Sequence, residues 1–279
     1  EDICDDGTLD GTIFDRRVNN SDAEPKFDKV AFYRELVNYR NRPDTARRDN
    51  IRELERRGLA HGQRKPVDDG KHYLCYTEYG GEVTCGGWWD EPDCPLNHLS
   101  RVERLTEVQY LTGVQRMEAL DTQPLADFPS DEARWNLGTY NYGEGIFLGV
   151  DPEWLQNQVD SLGHGSSYAG GAAKRHAISK EIDFDNPHVV AALPVLHTFS
   201  HLLIKEVCSE SGYSLGSIGE RLYLKGGENG IEYAGILLYT TGSSSDGTLG
   251  GLASQATRDK VERAVNQAIR RRGECSNDP

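Results

Sequence analysis

Apolar residues recur along this chain at two spacings, one typical of helices and the other typical of strands. Spacings of three and four residues predict helices at residues 26–42, 44–57, 101–117, 153–160, 197–214 and 257–272. Runs rich in β-branched and aromatic residues predict strands at residues 73–89, 139–151 and 231–241, the first run folding as a hairpin around Gly80 and Gly81. Because helices and strands alternate along the whole chain, the predicted fold class is mixed α+β.

The pattern also predicts how the chain is divided. Residues 1–70 form an acidic lead-in followed by a basic helical segment, in which Asp44 can cap a helix that Gly58 ends. Residues 71–100 hold the cysteine-containing hairpin, and residues 101–279 form a mixed α/β C-terminal domain. We therefore expect a helical N-terminal segment in front of a larger α/β unit.

Composition and apolar run length bear on location. The longest apolar run covers residues 189–196, well short of the ~20 residues that cross a bilayer. The chain opens on Glu-Asp-Ile-Cys, without a charged and then apolar leader. We expect a cytoplasmic protein that has no membrane partner.

The net charge of −14 disfavours nucleic-acid binding over the whole surface. Basic residues are nevertheless concentrated between Arg40 and Lys65. They form either a solvated helix face with ion pairs or a local phosphate-binding patch. The candidate phosphate contacts are Arg47, Arg48, Arg52 and Arg56.

His197 and His201 are four residues apart, so they share one face of the predicted helix 197–214. A helical zinc peptidase needs a glutamate directly after its first histidine, and Thr198 stands there instead. Continued along the helix, the same face reaches Ile204 and Cys208. The stripe is either a core face or part of a metal site.

Cys75, Cys85, Cys94 and His98 lie close together in sequence. Three thiolates and one imidazole would satisfy tetrahedral zinc, although their spacing differs from that of a zinc knuckle. The alternative is a set of reduced, partly buried cysteines beside a hairpin.

The glycine-rich segment 242–251 is not a nucleotide-binding loop. It lacks the Gly-Lys-Ser/Thr ending of a Walker A loop and the GxGxxG of a dinucleotide fold, and no GxSxG elbow surrounds its serines. We expect a tight connection between a strand and a helix, and no nucleotide cofactor.

Three motifs occur in the same order as in a known family. They are HTFSHLLIKEVCSESGYSLGSIGERLY at 197–223, AGILLYTTGSSSDGTLGGL at 234–252 and CSNDP at 275–279. Together with RVERLTEVQYLTGVQRM at 101–117 and GEGIFL at 143–148, they make residues 100–279 resemble the C-terminal region of DrmB proteins from DISARM anti-phage systems. The chain is also similar, more distantly, to the MrfA-type zinc-binding domain attached to superfamily 2 helicases.

This resemblance implies a non-catalytic, helicase-associated subunit that works beside a superfamily 2 helicase and engages DNA through the complex. It also implies a zinc site that begins at Cys275, with further cysteines downstream of that position in the family. Two other functions stay open: a metal-dependent hydrolase or nuclease that uses His197 and His201, and an assembly scaffold that does not contact DNA.

Overall fold

A six-stranded sheet is the central element of the structure. A computed structural model describes residues 44–110, 138–161, 182, 186–240 and 251–271. The strands are β1 (Val67–Asp68), β2 (Tyr73–Tyr79), β3 (Leu96–Tyr110), β4 (Gly138–Val150), β5 (Ile218–Gly226) and β6 (Ile231–Thr240). Their order across the sheet is β1-β2-β3-β4-β6-β5. The pairs β1/β2, β2/β3, β4/β6 and β5/β6 are antiparallel.

Helices accompany the sheet at both ends of the described chain and between its strands. They are α1 (Asp44–Leu59), α2 (Pro152–Ser161), α3 (Pro187–Ser211) and α4 (Arg258–Arg270). Short 3-10 turns cover Gly87–Asp90, Leu215–Ser217 and Ala253–Gln255. This combination of helices with an antiparallel sheet confirms the predicted α+β class.

The chain divides into two units. One comprises Ile51–Val108 and Tyr140–Pro279 and contains most of the described elements. The other comprises Glu1–Asn50 and Gln109–Thr139, of which the structure describes only the ends of α1, β3 and β4. In the first unit, β3 runs through the boundary predicted between residues 100 and 101.

The two faces of the sheet bury separate hydrophobic clusters, because strand side chains alternate between faces. On β5 and β6 the first cluster takes Ile218, Leu222, Leu224, Ala234, Ile236 and Leu238, and it also contains the buried residues of α3 and α4. The second cluster takes Tyr223 and Leu237 from the intervening positions, together with Leu59 at the end of α1. Helices α3 and α4 therefore cover one face, and α1 packs on the other.

The long helix α3 has defined ends. The Asn186 side chain accepts hydrogen bonds from the backbone N–H groups of His188 and Val189, at 2.9 and 3.4 Å. At the other end Gly212 takes a positive φ of 78° and donates its N–H to the Cys208 carbonyl. By length and composition α3 could cross a bilayer. However, many of its apolar side chains, including Leu193, are buried in the first cluster, as in the core helix of a globular domain.

Two predicted elements differ from the structure. The helix predicted at 101–117 is wrong over its described part, because these residues belong to β3 and pair with β2. The second half of the predicted hairpin is also wrong. After Gly80 only one isolated bridge forms, to Val83, and the chain then enters a 3-10 turn.

The other predicted elements agree where they are described. The helices predicted at 44–57, 153–160, 197–214 and 257–272 correspond to α1 to α4, and the strands at 139–151 and 231–241 correspond to β4 and β6. The strand β5 was not predicted. The helix predicted at 26–42 and residues 242–250 of the glycine-rich segment lie outside the described residues.

Candidate functional site

The two histidines singled out in the sequence meet a carboxylate from the sheet. Helix α3 places His197 and His201 one turn apart, with ring centroids 4.2 Å from each other and ring planes inclined by 67°. Strand β5 supplies Glu220, whose Oε1 lies 2.9 Å from Nε2 of His197 and 3.7 Å from Nε2 of His201. One carboxylate oxygen thus faces both imidazoles.

A buried serine fixes the other oxygen of this carboxylate. Ser200, on the same helix face, donates its hydroxyl to Oε2 of Glu220. The Ser200 hydroxyl also lies 3.0 Å from the His197 carbonyl, and the residue is fully buried. Because Oε2 is held by the hydroxyl, the carboxylate presents Oε1 to the histidines.

The cluster is sheltered but not closed. The side chains of His197, His201 and Glu220 are 14%, 26% and 8% exposed. A ligand atom from each residue lies within 4.8 Å of the other two, and no other group of this kind occurs among the described residues. Two imidazoles and a carboxylate are donors that divalent transition metals bind in proteins.

The sequence contained a signal for Glu220 that the motif search missed. Alternate residues of β5 share one face, and on that face Ile218, Leu222 and Leu224 are buried in the first cluster. Glu220 occupies the same apolar face as the only acid of that row. An acid in an otherwise apolar row of a strand must find a partner, because burying an unpaired charge is costly.

Cys208, the other candidate on α3, does not join this cluster. Its side chain is buried in the first hydrophobic cluster, and burial raises the pKa of its thiol. A neutral thiol in apolar surroundings is a core residue rather than a metal ligand.

The hairpin cysteines and His98 lie at separate places in the described structure. Cys75 is in the second cluster, with its thiol 3.9 Å from the Leu59 carbonyl, whereas Cys94 is in the first cluster and donates to the Leu96 carbonyl at 3.3 Å. Cys85 is partly buried, and all three thiols are free. The described geometry gives them no common ligand point, and Cys275 lies outside the described residues.

His98 is engaged inside the protein. Its Nε2 lies 2.8 Å from the Ser100 hydroxyl, which in turn donates to the Leu59 carbonyl at 2.7 Å. Burial lowers the pKa of His98 to about 4. The imidazole is therefore neutral near pH 7 and helps to hold the end of α1 against β3.

Arg52 and Arg56 make internal contacts. Arg52 donates to the Leu222 carbonyl at 2.6 Å. Arg56 binds both carboxylate oxygens of Glu53 at 3.0 Å and lies 4.3 Å above the ring of Tyr233. The pairing with Arg56 lowers the pKa of Glu53 to about 2. The side chains of Arg47 and Arg48 lie outside the described residues.

The end of the glycine-rich segment is anchored by a buried acid. Oε1 of Glu144 accepts hydrogen bonds from the Leu252 backbone N–H at 2.8 Å and from the Tyr213 hydroxyl at 3.0 Å. Burial and this carboxylate raise the pKa of Tyr213 to about 12. Glu144, within the GEGIFL motif, is thus a structural residue that motif reading did not identify.

A cavity of about 620 Å³ lies beside the 3-10 turn at Gly87–Asp90. Its described lining includes Tyr79, Trp89 and Trp154 and five acids: Asp90, Glu91, Asp93, Asp151 and Glu153. Burial, together with nearby carboxylates, raises the pKa of Cys94 to about 11. This acidic lining disfavours a phosphate ligand.

Comparison with known proteins gives one informative match. No protein-family model matches the chain. The chain is 29% identical over 229 residues to the DISARM protein DrmB of Bacillus paralicheniformis. The match covers 74% of this chain and 39% of the DrmB protein, so the chain spans about two fifths of the length of this curated relative. The resemblance to DrmB is confirmed. Because 74% of the chain is more than residues 100–279 make up, the similarity also includes residues N-terminal to residue 100.

Proposed function

We propose that this chain is a DrmB-like component of a DISARM anti-phage system that acts by binding rather than by catalysis. The observation that carries the proposal is the similarity to DrmB over 74% of the chain. Fold alone would not carry it, since an α+β sheet with helices hosts many functions. The protein would work in the cytoplasm, where a DNA-directed defence complex meets its target.

The proposed partner is a superfamily 2 helicase subunit. This partner follows from the family resemblance, and it is tested by purifying the tagged chain from its native host. We expect the helicase subunit to co-purify in a fixed ratio with the chain through size exclusion. Recovery of the folded chain without any helicase would overturn this part of the proposal.

The proposed DNA contact is local, because the net charge of −14 repels phosphates over most of the surface. In α1, Arg52 and Arg56 already bind Leu222 and Glu53. Phosphate contact by these two would compete with contacts that hold the fold together. We therefore assign the larger share of DNA contact to Arg47 and Arg48.

A paired charge reversal tests this assignment. Arg47→Glu with Arg48→Glu should weaken DNA retention by the complex and reduce the slope of log affinity against log salt by about 1 per lost phosphate contact. The matched control is Arg258→Glu with Arg263→Glu, which makes the same charge change on exposed positions of α4. Equal retention by both double variants would show that Arg47 and Arg48 make no specific contribution to DNA binding. Helicase co-purification without any DNA retention would instead support the scaffold function.

We include zinc at Cys275 in the same proposal, because the family resemblance implies the first ligand of a zinc site at that position. Both this site and the relation to the MrfA-type domain remain predictions.

The alternative, a metal-dependent hydrolase, would have ligands for its metal ion, but no general base accompanies them among the described residues. The His197, His201 and Glu220 cluster uses its carboxylate as a candidate ligand, and no second acid joins the cluster among the described residues. Metal-dependent hydrolysis commonly needs a separate general base or a second metal ion. We therefore favour the binding function.

A further inference from the structure

We propose that His197, His201 and Glu220 form a binding site for one divalent transition-metal ion, with zinc as the best match. The site is separate from the zinc site expected at Cys275. It does not depend on the DISARM proposal, because it rests only on the geometry of α3 and β5.

The distances suit a zinc ion. With zinc–ligand bonds of about 2.0–2.1 Å, neighbouring ligand atoms of a tetrahedral site are about 3.3 Å apart. Nε2 of His197 and Nε2 of His201 lie 2.9 and 3.7 Å from Oε1 of Glu220, on either side of that value. Shifts of a few tenths of an ångström would bring each histidine nitrogen to that separation from Oε1 of Glu220, and the three ligand atoms all lie within 4.8 Å of one another.

The chemistry of the donors points to the same class of metal. Two imidazoles and one carboxylate suit zinc and related first-row ions, whereas magnesium and calcium prefer oxygen donors alone. Without metal, Nε2 of His197 lies within hydrogen-bond distance of Oε1 of Glu220. A bound ion would take the place of this contact, because an imidazole nitrogen coordinates a metal through an unprotonated lone pair.

The surrounding structure orients the carboxylate for this role. The Ser200 hydroxyl holds Oε2 of Glu220, which leaves Oε1 directed at both histidines. Partners of this kind fix ligating groups in metal sites, and their loss typically weakens metal binding 10- to 100-fold.

The position of the ligands suggests what the metal does. Two ligands come from a helix and one from a strand of the sheet that the helix covers. A bound ion would therefore join α3 to β5. The partial exposure of His197 and His201 leaves a route for the ion and room for a water molecule as a fourth ligand.

The test measures zinc on the full chain after chelator treatment and dialysis. Isothermal titration with Zn²⁺ should show a tight site that is lost, or at least tenfold weaker, in His201→Ala and in Glu220→Gln, and that is retained in Cys275→Ser. Ser200→Ala should weaken the same site about tenfold. The control His188→Ala removes a histidine of α3 outside the cluster and should bind zinc like the wild type.

Circular dichroism and thermal melts of the metal-free proteins identify any variant that fails to fold, and Glu220→Gln keeps the size of the side chain. Wild-type zinc affinity in folded Glu220→Gln and His201→Ala would overturn the proposal, as would zinc that is lost only in Cys275→Ser. Failure of helicase co-purification would leave this measurement unaffected, so the two proposals can fail separately.

Discussion

Buried titratable side chains of this protein are held in one protonation state by their surroundings. Burial lowers the pKa of His98 to about 4 and also lowers the pKa of His61. An unfolded histidine titrates near 6.5. Between these values the unfolded chain binds a proton that the folded chain does not, so the free energy of unfolding falls as the pH decreases.

This direction of the pKa shift predicts a loss of folding stability in acid that depends on His98. Because the pKa of His98 is lowered, the free energy of unfolding should fall by about 2 kcal/mol from pH 7 to pH 5. Urea unfolding of His98→Gln should therefore lose less stability over that range than the wild type. His72→Gln serves as the control, and identical pH dependence in His98→Gln and the wild type would contradict the assignment.

At the scale of single residues, the sequence correctly predicted that His197 and His201 share a helix face, but it did not predict which residues join them. Helical spacing was enough to place two side chains on one face, because they belong to one element. Glu220 comes from β5, and only the packing of α3 on the sheet brings it there. A shared zinc site was one of two alternatives for the hairpin cysteines, and Cys75 and Cys94 are buried in different clusters.

Helix α1 is held on the sheet by ion pairs and hydrogen bonds as well as by Leu59. Glu55 binds Arg221 through two contacts of 2.7 and 3.0 Å and accepts a hydrogen bond from the Tyr223 hydroxyl at 3.2 Å. Both Glu55 and Arg221 are about one third exposed, which limits the energy of the pair.

A double-mutant cycle should measure this docking contact. We expect Glu55→Ala and Arg221→Ala to be coupled by about 1 kcal/mol in urea unfolding, because the geometry is bidentate and partly buried. The control cycle uses Lys225 and Glu232, an exposed pair that should show coupling near zero. Equal coupling energies in the two cycles would mean that the Glu55 pair does not hold α1.

The elements also show where local sequence pattern misleads. Leu105 and Val108 have a helix-like spacing, but their segment pairs with β2, and pairing within the sheet decides the conformation. Strand β4 and helix α4 were predicted correctly, because the aromatic and apolar residues of β4 favour a strand and the amphipathic stripe of α4 favours a helix. Strand β5 was not predicted, because Gly219, Glu220 and Arg221 interrupt its apolar residues.

At the scale of the whole molecule, the protein is acidic, and helices pack on both faces of its central sheet. Its charge of −14 and its acid-lined cavity would confine the proposed DNA contact to a local basic segment or to the proposed partner. Neither fold nor charge identifies a defence protein. That proposal comes from the ordered motifs and from the similarity to DrmB.

The most direct test of the proposed function is phage plating on the native host with and without the gene for this chain. We predict that deletion raises the efficiency of plating of sensitive phages to the level of a strain that lacks the whole system. The wild-type gene should restore protection when it is supplied in trans. Unchanged plating after deletion, in a host whose remaining system is intact and expressed, would contradict the proposed role in anti-phage defence.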